Sequence, residues 1–232
     1  SVTGVQTCAL PIWAVAFTSL RLAGMAALIA LVIGYPAAYA ISRLSPRWRT
    51  VALIAVVLPF WTNFLIRTYA WMVLLNNEGL INRLARSLGL ADSPWALMNN
   101  QPAIVLGFVY AYLPLMILPL YAAIERLDTQ LTEAAADLGA GTLTRWCTVV
   151  FPLTAQGAIT GLLFVFIPSL GNFVIPELLG GGKTATLGTV ARDQYLTARN
   201  WPFGSAVALL ILVVVVLIVI GQNILARRWS ER

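Results

Sequence analysis

The sequence predicts an all-α fold, a polytopic helical membrane protein with about five transmembrane helices. Three observations carry that prediction. The 232 residues are 59% hydrophobic and only 10% charged, where a soluble domain carries about 25% charge, and mean hydropathy is +0.83. Five apolar segments, each near the roughly 20 residues a helix needs to cross a bilayer, take up most of the length. The arginines gather beside those segments, as orientation signals do. The net charge of +6 is therefore read as membrane topology and not as a nucleic-acid surface.

Residues 1–12, SVTGVQTCALPI, have no initiator methionine and no basic n-region, so they are not a signal peptide. They look similar to translated adapter sequence and are expected to be a non-native leader. The membrane domain then covers 13–228 and a tail covers 229–232. Span one runs roughly from Trp13 or Leu22 to Ile41. Ala26, Ala30, Gly34 and Ala38 recur at every fourth position there, a small-residue ladder that lets another helix approach closely in lipid. Pro36 should bend its end. Arg43, Arg47 and Arg49 follow within seven residues and place that loop inside.

Span two is about Val51 to Leu75, with a polar aromatic centre, LPFWTNFLIRTYAW, that holds Trp61, Asn63, Arg67 and Tyr69. A central arginine costs about 3 kcal/mol on insertion scales. Arg67 either snorkels to the outer interface or, with Asn63, faces a protein interior or a water-filled path. Residues 76–102 are polar, with Ile81, Leu84, Leu88 and Leu90 suggesting a helix along the outer surface. Span three, Ala103 to Ala123, contains Pro114 and Pro119, so a broken or kinked helix packed against protein is expected.

Span four, Leu153 to Leu178, carries the pair Gly157 and Gly161 at GxxxG spacing. Pro168, Gly171, Asn172, Pro176 and Glu177 interrupt its outer half, and irregular backbone at membrane depth lines cavities. Glu177 either meets a cation or sits at the water boundary. GGGKT at 180–184 resembles the end of a phosphate-binding loop, but residue 177 is Glu where that pattern needs Gly, and no strand precedes it. Nucleotide binding by this chain is not expected. Span five, Phe203 to Gly221, is unbroken and reads as lipid-facing, and Arg227, Arg228 and Arg232 end the chain inside.

The longest polar segment is 125–152, ERLDTQLTEAAADLGAGTLTRWCTVVFP, between spans three and four. Leu127, Leu131, Ala134, Ala135 and Leu138 make one apolar stripe at helical spacing. Gly139 and Gly141 stop that helix, and a second short run, Leu143 to Val150, follows before Pro152. The result is a helical knob in need of a socket on another protein. With five alternating spans, eight arginines lie on the knob's side (43, 47, 49, 126, 145, 227, 228, 232). Five basic residues lie opposite (Arg83, Arg86, Lys183, Arg192, Arg199). The excess puts the knob and the C-terminus in the cytoplasm. There is no histidine, which removes the commonest metal ligand and general base. Cys8 and Cys147 are expected on opposite sides of the membrane, so neither a disulfide nor a metal site is expected.

Glu133-Ala134-Ala135, Gly139 four residues on, and Val149-Val150-Phe151-Pro152 after nine more resemble the EAA loop of binding-protein-dependent ABC importer permeases. Valine and phenylalanine stand where that pattern has isoleucine and leucine. LPFWTNFLIRTYAW and the stretch from LLGGGKT to WPFGSA are similar to the spermidine/putrescine branch of the family, over roughly residues 18–228. The resemblance implies a type I ABC importer permease fold (MetI-like) with six spans in the intact family, one more than here. It implies a bacterial inner-membrane protein that is a transport subunit and not an enzyme.

The resemblance also implies a partner set: a dimeric ABC ATPase, which binds the ATP, a second related permease, and a periplasmic or lipid-anchored solute-binding protein. This chain needs no cofactor of its own and no nucleic acid. Glu133, Ala134, Ala135, Asp137, Leu138, Gly139 and Pro152 would form the coupling element that docks on the ATPase. Trp61, Asn63, Arg67, Tyr69, Asn172 and Glu177 are candidates for the substrate path. Aromatic faces hold extended cations well, and Trp71, Tyr110 and Tyr112 are further such faces. Two alternatives stand beside the polyamine reading. One is the same machine with another small solute, such as ferric ion or sulfate. The other is an ion-coupled secondary transporter, which would need acidic residues at mid-membrane and offers no use for the knob.

Overall fold

The computed structural model describes residues 12–90 and 93–230. The expectation of a non-native leader falls, apart from Ile12, outside the described residues, as does Cys8. Every regular element of the described chain is a helix. Its α-helices are α1 (Ile12–Ser42), α2 (Pro46–Val57), α3 (Phe64–Leu75), α4 (Leu80–Ser87), α5 (Gln101–Glu125), α6 (Thr129–Asp137), α7 (Thr142–Arg145), α8 (Phe151–Gly171), α9 (Val174–Gly180), α10 (Leu187–Leu196) and α11 (Trp201–Ser230). A 3₁₀ turn at Leu58–Trp61 follows α2, and a π turn at Trp146–Val150 joins α7 to α8.

Among the described residues four helices are long and apolar enough to cross a bilayer: α1, α5, the run Trp146–Gly171, and α11 over Trp201–Gln222. A fifth candidate is the pair Pro46–Trp61 and Phe64–Ser87, bent by 91°. That bend corrects the expectation of one continuous second span. Pro59 lacks the N–H that would continue the ladder, and Thr62 donates its hydroxyl to the Pro59 carbonyl at 2.7 Å. Asn63 then starts a new helix, its Oδ1 accepting from the N–H groups of Leu65 (2.8 Å) and Ile66 (3.5 Å).

The core is a triangle of α1, α5 and α8. Ala26, Ala30 and Ala38 are 0% exposed, and Gly34 is buried among them. A Cβ added at Gly34 would lie 2.8 Å from Met116 Cγ, and one at Gly161 would lie 2.6 Å from Met116 Sδ. A Cβ at Gly157 would collide with Ala123 and the Pro119 carbonyl. Dispersion contacts are individually small and need this closeness to add up. In lipid, where neighbouring tails are equally apolar, close packing replaces the hydrophobic effect as the force between helices. Of the expected broken or kinked helix, the broken form does not hold: α5 runs as one helix through Pro114 and Pro119. Pro114 is buried, consistent with a place against protein.

Two further boundaries differ from expectation. The run 143–150 does not stop before Pro152 but continues through the π turn into α8, with Phe151 N–H bonded to the Trp146 carbonyl. Proline in a helix donates no hydrogen bond and presses on the carbonyl four residues back, and the wider π turn relieves that pressure. Span four ends at Gly171. Asn172 then accepts from Ile175 N–H at 2.9 Å, and the separate α9 lies against α3 and α5. Gly107 makes room for Leu179 and Ile175 there. The glycines of GGGKT terminate α9, with Gly181 and Gly182 in the left-handed region at φ 61° and 68°.

α4 turns Ile81, Asn82 and Ala85 inward and leaves Leu80, Leu84 and Leu88 exposed. Of the predicted stripe, Ile81 alone faces the protein. Asn82, 1% exposed, fixes the helix by donating to the carbonyls of Asn76 and Trp95, both at 3.1 Å, and accepting from Trp95 N–H at 2.9 Å. α11 is uncovered along most of its length, with Val207 its buried large residue among those described.

Replacing Gly157 with Val should cost about 2 kcal/mol, the usual penalty for overpacking a tight contact. The detergent-solubilised protein should lose helicity on heating at a lower temperature than the parent. Gly221→Ala, where a Cβ meets open space, should not lower it.

Candidate functional site

The candidate site is the knob between α5 and α8. Asp128 caps α6, its Oδ1 accepting from Gln130 N–H at 2.9 Å. The other end is closed by a paired C-terminal motif. Gly139 N–H donates to the Ala136 carbonyl (2.9 Å) and Ala140 N–H to the Ala135 carbonyl (3.0 Å), with Gly139 at φ 81°. This is the hydrogen-bond pattern of a Schellman cap, and it requires the left-handed residue at that position. A helix of 9 residues is marginal on its own, so both caps matter to its survival as an isolated knob.

The capped helix leaves one face bare. Glu133, Ala134, Asp137 and Leu138 are exposed, Ala135 is half-buried, and Pro152 is exposed beyond the turn. Leu138 is 89% exposed and Leu131 49%, so the predicted apolar stripe is not spent on the protein's own core. Glu133 and Asp137, four residues apart, are in no ion pair among the described residues. Like charges at that spacing repel by a few tenths of a kcal/mol. Two small alanines flanked by uncompensated carboxylates and a bare leucine suit a groove that is apolar at its floor and basic at its rim.

The knob is anchored at its root. Arg49 of α2 meets Glu125 at the end of α5 at 2.8 Å and also donates to the Ser42 carbonyl at 2.9 Å, joining the ends of α1, α2 and α5. Both partners are partly exposed, so the pair contributes about 0.5 kcal/mol; its role is to hold position. Beneath α6 an open hollow of about 540 Å³ lies between α5 and α8, lined by Pro119, Arg126, Asp128, Gln156 and Thr160 among others.

The six path candidates do not converge on one pocket. Trp61 is 85% exposed at the bend before α3, and Tyr69 is 53% exposed. Arg67 is half-buried, its guanidinium carbon 5.6 Å from the centroid of Phe60 and 5.9 Å from that of Phe64. Its Nε is buried without a hydrogen-bond partner. Asn63 and Asn172 are helix caps, and Asn172 also donates to Tyr112 Oη at 2.8 Å. Glu177 meets a cation, but that cation is the chain's own Arg192 at 2.6 Å, which also holds Asp193 at 2.7 Å. The Asp193 hydrogen bond, followed by the charges of Glu177 and Asp193, raises the Arg192 pKa against a lowering by burial. This cluster rims a hollow of about 370 Å³ with Val15 and Val207 in its wall.

Sequence reasoning missed the Arg192–Glu177 and Arg49–Glu125 pairs and an aromatic group formed by Tyr35, Tyr39 and Trp146. The spacing of Tyr35 and Tyr39 on one helical face, in a stretch (22–41) with no other aromatic residue, was the available signal.

The sequence profile for the binding-protein-dependent transport system inner membrane component matches residues 12–231. The chain belongs to that family. It is an inner-membrane, multi-pass permease, a transport component and not an enzyme. The chain is 45% identical over 210 residues to the spermidine/putrescine transport system permease protein PotB of Haemophilus influenzae, covering 90% of this chain and 73% of the relative. Its fold matches the bacterial alginate ABC transporter in complex with alginate pentasaccharide-bound periplasmic protein, at TM-score 0.75 and 18% identity over 92% of this chain and 77% of the other. It also matches the MetNI methionine ABC transporter, at TM-score 0.64 and 20% identity over 92% and 93%. The permease therefore has the MetI-like fold of ABC importers.

Gly139→Ala should weaken the turn of the knob by about 1 kcal/mol, the cost of a left-handed Cβ, and speed amide exchange at Leu138 to Ala140 by about fivefold. Gly139→Asn, better tolerated in that region, should recover most of the protection. Equal exchange in all three proteins would show that the left-handed residue is not what holds the turn.

Proposed function

We propose that this permease carries polyamines, spermidine or putrescine, and that α6 is the helix through which an ATPase subunit drives it. The observation that supports the cargo is the 45% identity to a permease named for spermidine/putrescine transport, over 73% of that relative. The observation that supports the drive is the doubly capped α6 with its uncovered Glu133, Ala134 and Leu138.

In this reading α6 and the C-terminus face the cytoplasm, as the arginine bias requires. Glu133 meets a basic rim on the ATPase, Ala134 and Ala135 allow close approach, and Gly139 sets the angle of the turn to α7. Closure of an ATPase dimer displaces the knob. Because the α1–α5–α8 core is packed without slack, the spans move as bodies between outward- and inward-open arrangements. A second related permease completes the path, and a periplasmic or lipid-anchored binding protein delivers cargo to the outer end, where α9 and α10 lie.

The geometry ranks the path candidates. Arg67 already occupies the faces of Phe60 and Phe64, so the aromatic faces open to an ammonium are those of Trp61 and Tyr69. Glu177 reaches cargo only by releasing Arg192. Asn63 and Asn172 act by fixing the starts of α3 and α9.

The test is uptake of labelled spermidine into cells that express the whole importer. Glu133→Lys should reduce uptake to background and weaken co-purification of the ATPase, while membrane insertion stays normal. Native-rate transport with the ATPase still bound would contradict the docking role. Uptake that is competed by sulfate or ferric ion, but not by putrescine, would contradict the cargo.

A further inference from the structure

The knob is fastened to α8 covalently, yet α8 enters the core through a π turn, the one departure from α-geometry in that helix. Such turns widen the helix by a residue and concentrate at functional positions. Trp146 is the first residue of this turn, and its indole is enclosed by α1. Its ring centroid lies 4.9 Å from that of Tyr35, at 57°, and 5.0 Å from that of Tyr39, at 64°. Phe151, at the end of the turn, packs on Tyr35 at 5.8 Å. These tilted and edge-on contacts fall in the favourable range for aromatic pairs.

Both tyrosines are themselves held. Tyr35 is 5% exposed and shares a hydrogen bond with the Thr154 hydroxyl on α8. Tyr39 receives a hydrogen bond from Arg43 Nη2 at 2.8 Å, with the guanidinium carbon 5.0 Å from its ring centroid. Besides the Phe151–Tyr35 contact, two side-chain links tie α1 to the α7–α8 segment. One is the aromatic grip on Trp146, close to the knob, and the other is the Tyr35–Thr154 bond, two turns further into the core.

We propose that Trp146 is a positioning residue for transport, passing displacement of α6 to α1 through Tyr35 and Tyr39. The π turn supplies the register freedom, and the aromatic grip makes α1 follow when the turn shifts. Without the indole, movement of α6 is absorbed within the turn before it reaches the α1–α5–α8 core. This rests on the reading that α6 docks on an ATPase, and the two readings fail differently.

The experiment uses the assembled importer in proteoliposomes, with labelled spermidine uptake and ATP hydrolysis measured together. Trp146→Ala should still co-purify with the ATPase and hydrolyse ATP in response to loaded binding protein. Spermidine moved per ATP should fall by about fivefold or more, the lower range of a coupling between linked sites. Trp146→Phe, which keeps a ring between the tyrosines, should recover most of the ratio. Tyr39→Leu should lower it, and the double variant Tyr39→Leu/Trp146→Ala should be no worse than Trp146→Ala alone. A parental ratio in Trp146→Ala overturns the proposal. If Trp146→Ala does not assemble, Tyr39→Leu decides, and a parental ratio there overturns it equally. Loss of ATPase binding in Glu133→Lys with no change of ratio in Trp146→Ala would leave the docking reading standing and this one refuted.

Discussion

The structure depends on how closely three helices approach one another around Met116. Gly34 on α1 and Gly161 on α8 each lack a Cβ where that side chain passes, and Met116 is 0% exposed between them. In a hydrocarbon medium no expulsion of water pulls helices together, so contact distance sets the strength of the core. The alanine ladder of α1 and the glycine pair of α8 are two halves of one device whose third member is α5. A tight triangle transmits displacement, whereas a loose one would absorb it. The fold therefore supplies stiffness before any functional group is considered.

On that stiff core the irregular elements have definite places. The π turn stands at the junction of core and knob, the bend at Pro59 separates α2 from α3, and α9 is a short piece laid on the N-terminal half of α5. Each departure coincides with a proline or an asparagine cap. Each stands where one helical element ends and another begins. Two of the ion pairs join separate elements. Arg49–Glu125 marks the root of the knob, and Arg192–Glu177 ties α10 to α9.

Much of this was readable in the sequence because membrane packing leaves plain marks. Small residues at every fourth position, arginines beside apolar runs, and a polar segment with two glycines between spans each have one physical use in lipid. Spans one, three and five were placed within a few residues for that reason. What was not readable depended on partners distant in sequence. Glu177 looked available for a cation until α10 brought Arg192 against it. That Asn63 and Asn172 each accept a backbone N–H at the start of a helix could be seen only once the chain was known to break just before them. The break at Pro59 itself was hidden because the flanking segments, polar centre included, together had the length of one span. The grip on Trp146 needed α1 and α8 to be adjacent, which no local pattern announces.

The account turns on which side of the membrane the knob occupies. Cys147, exposed in the π turn beside Trp146, reports that directly, in a Cys8→Ser background so that one thiol remains. A membrane-impermeant maleimide applied to intact cells should leave Cys147 unlabelled and should label it once the membrane is permeabilised. Labelling in intact cells to the same extent would place α6 away from ATP, and the coupling described here would have nothing to act on.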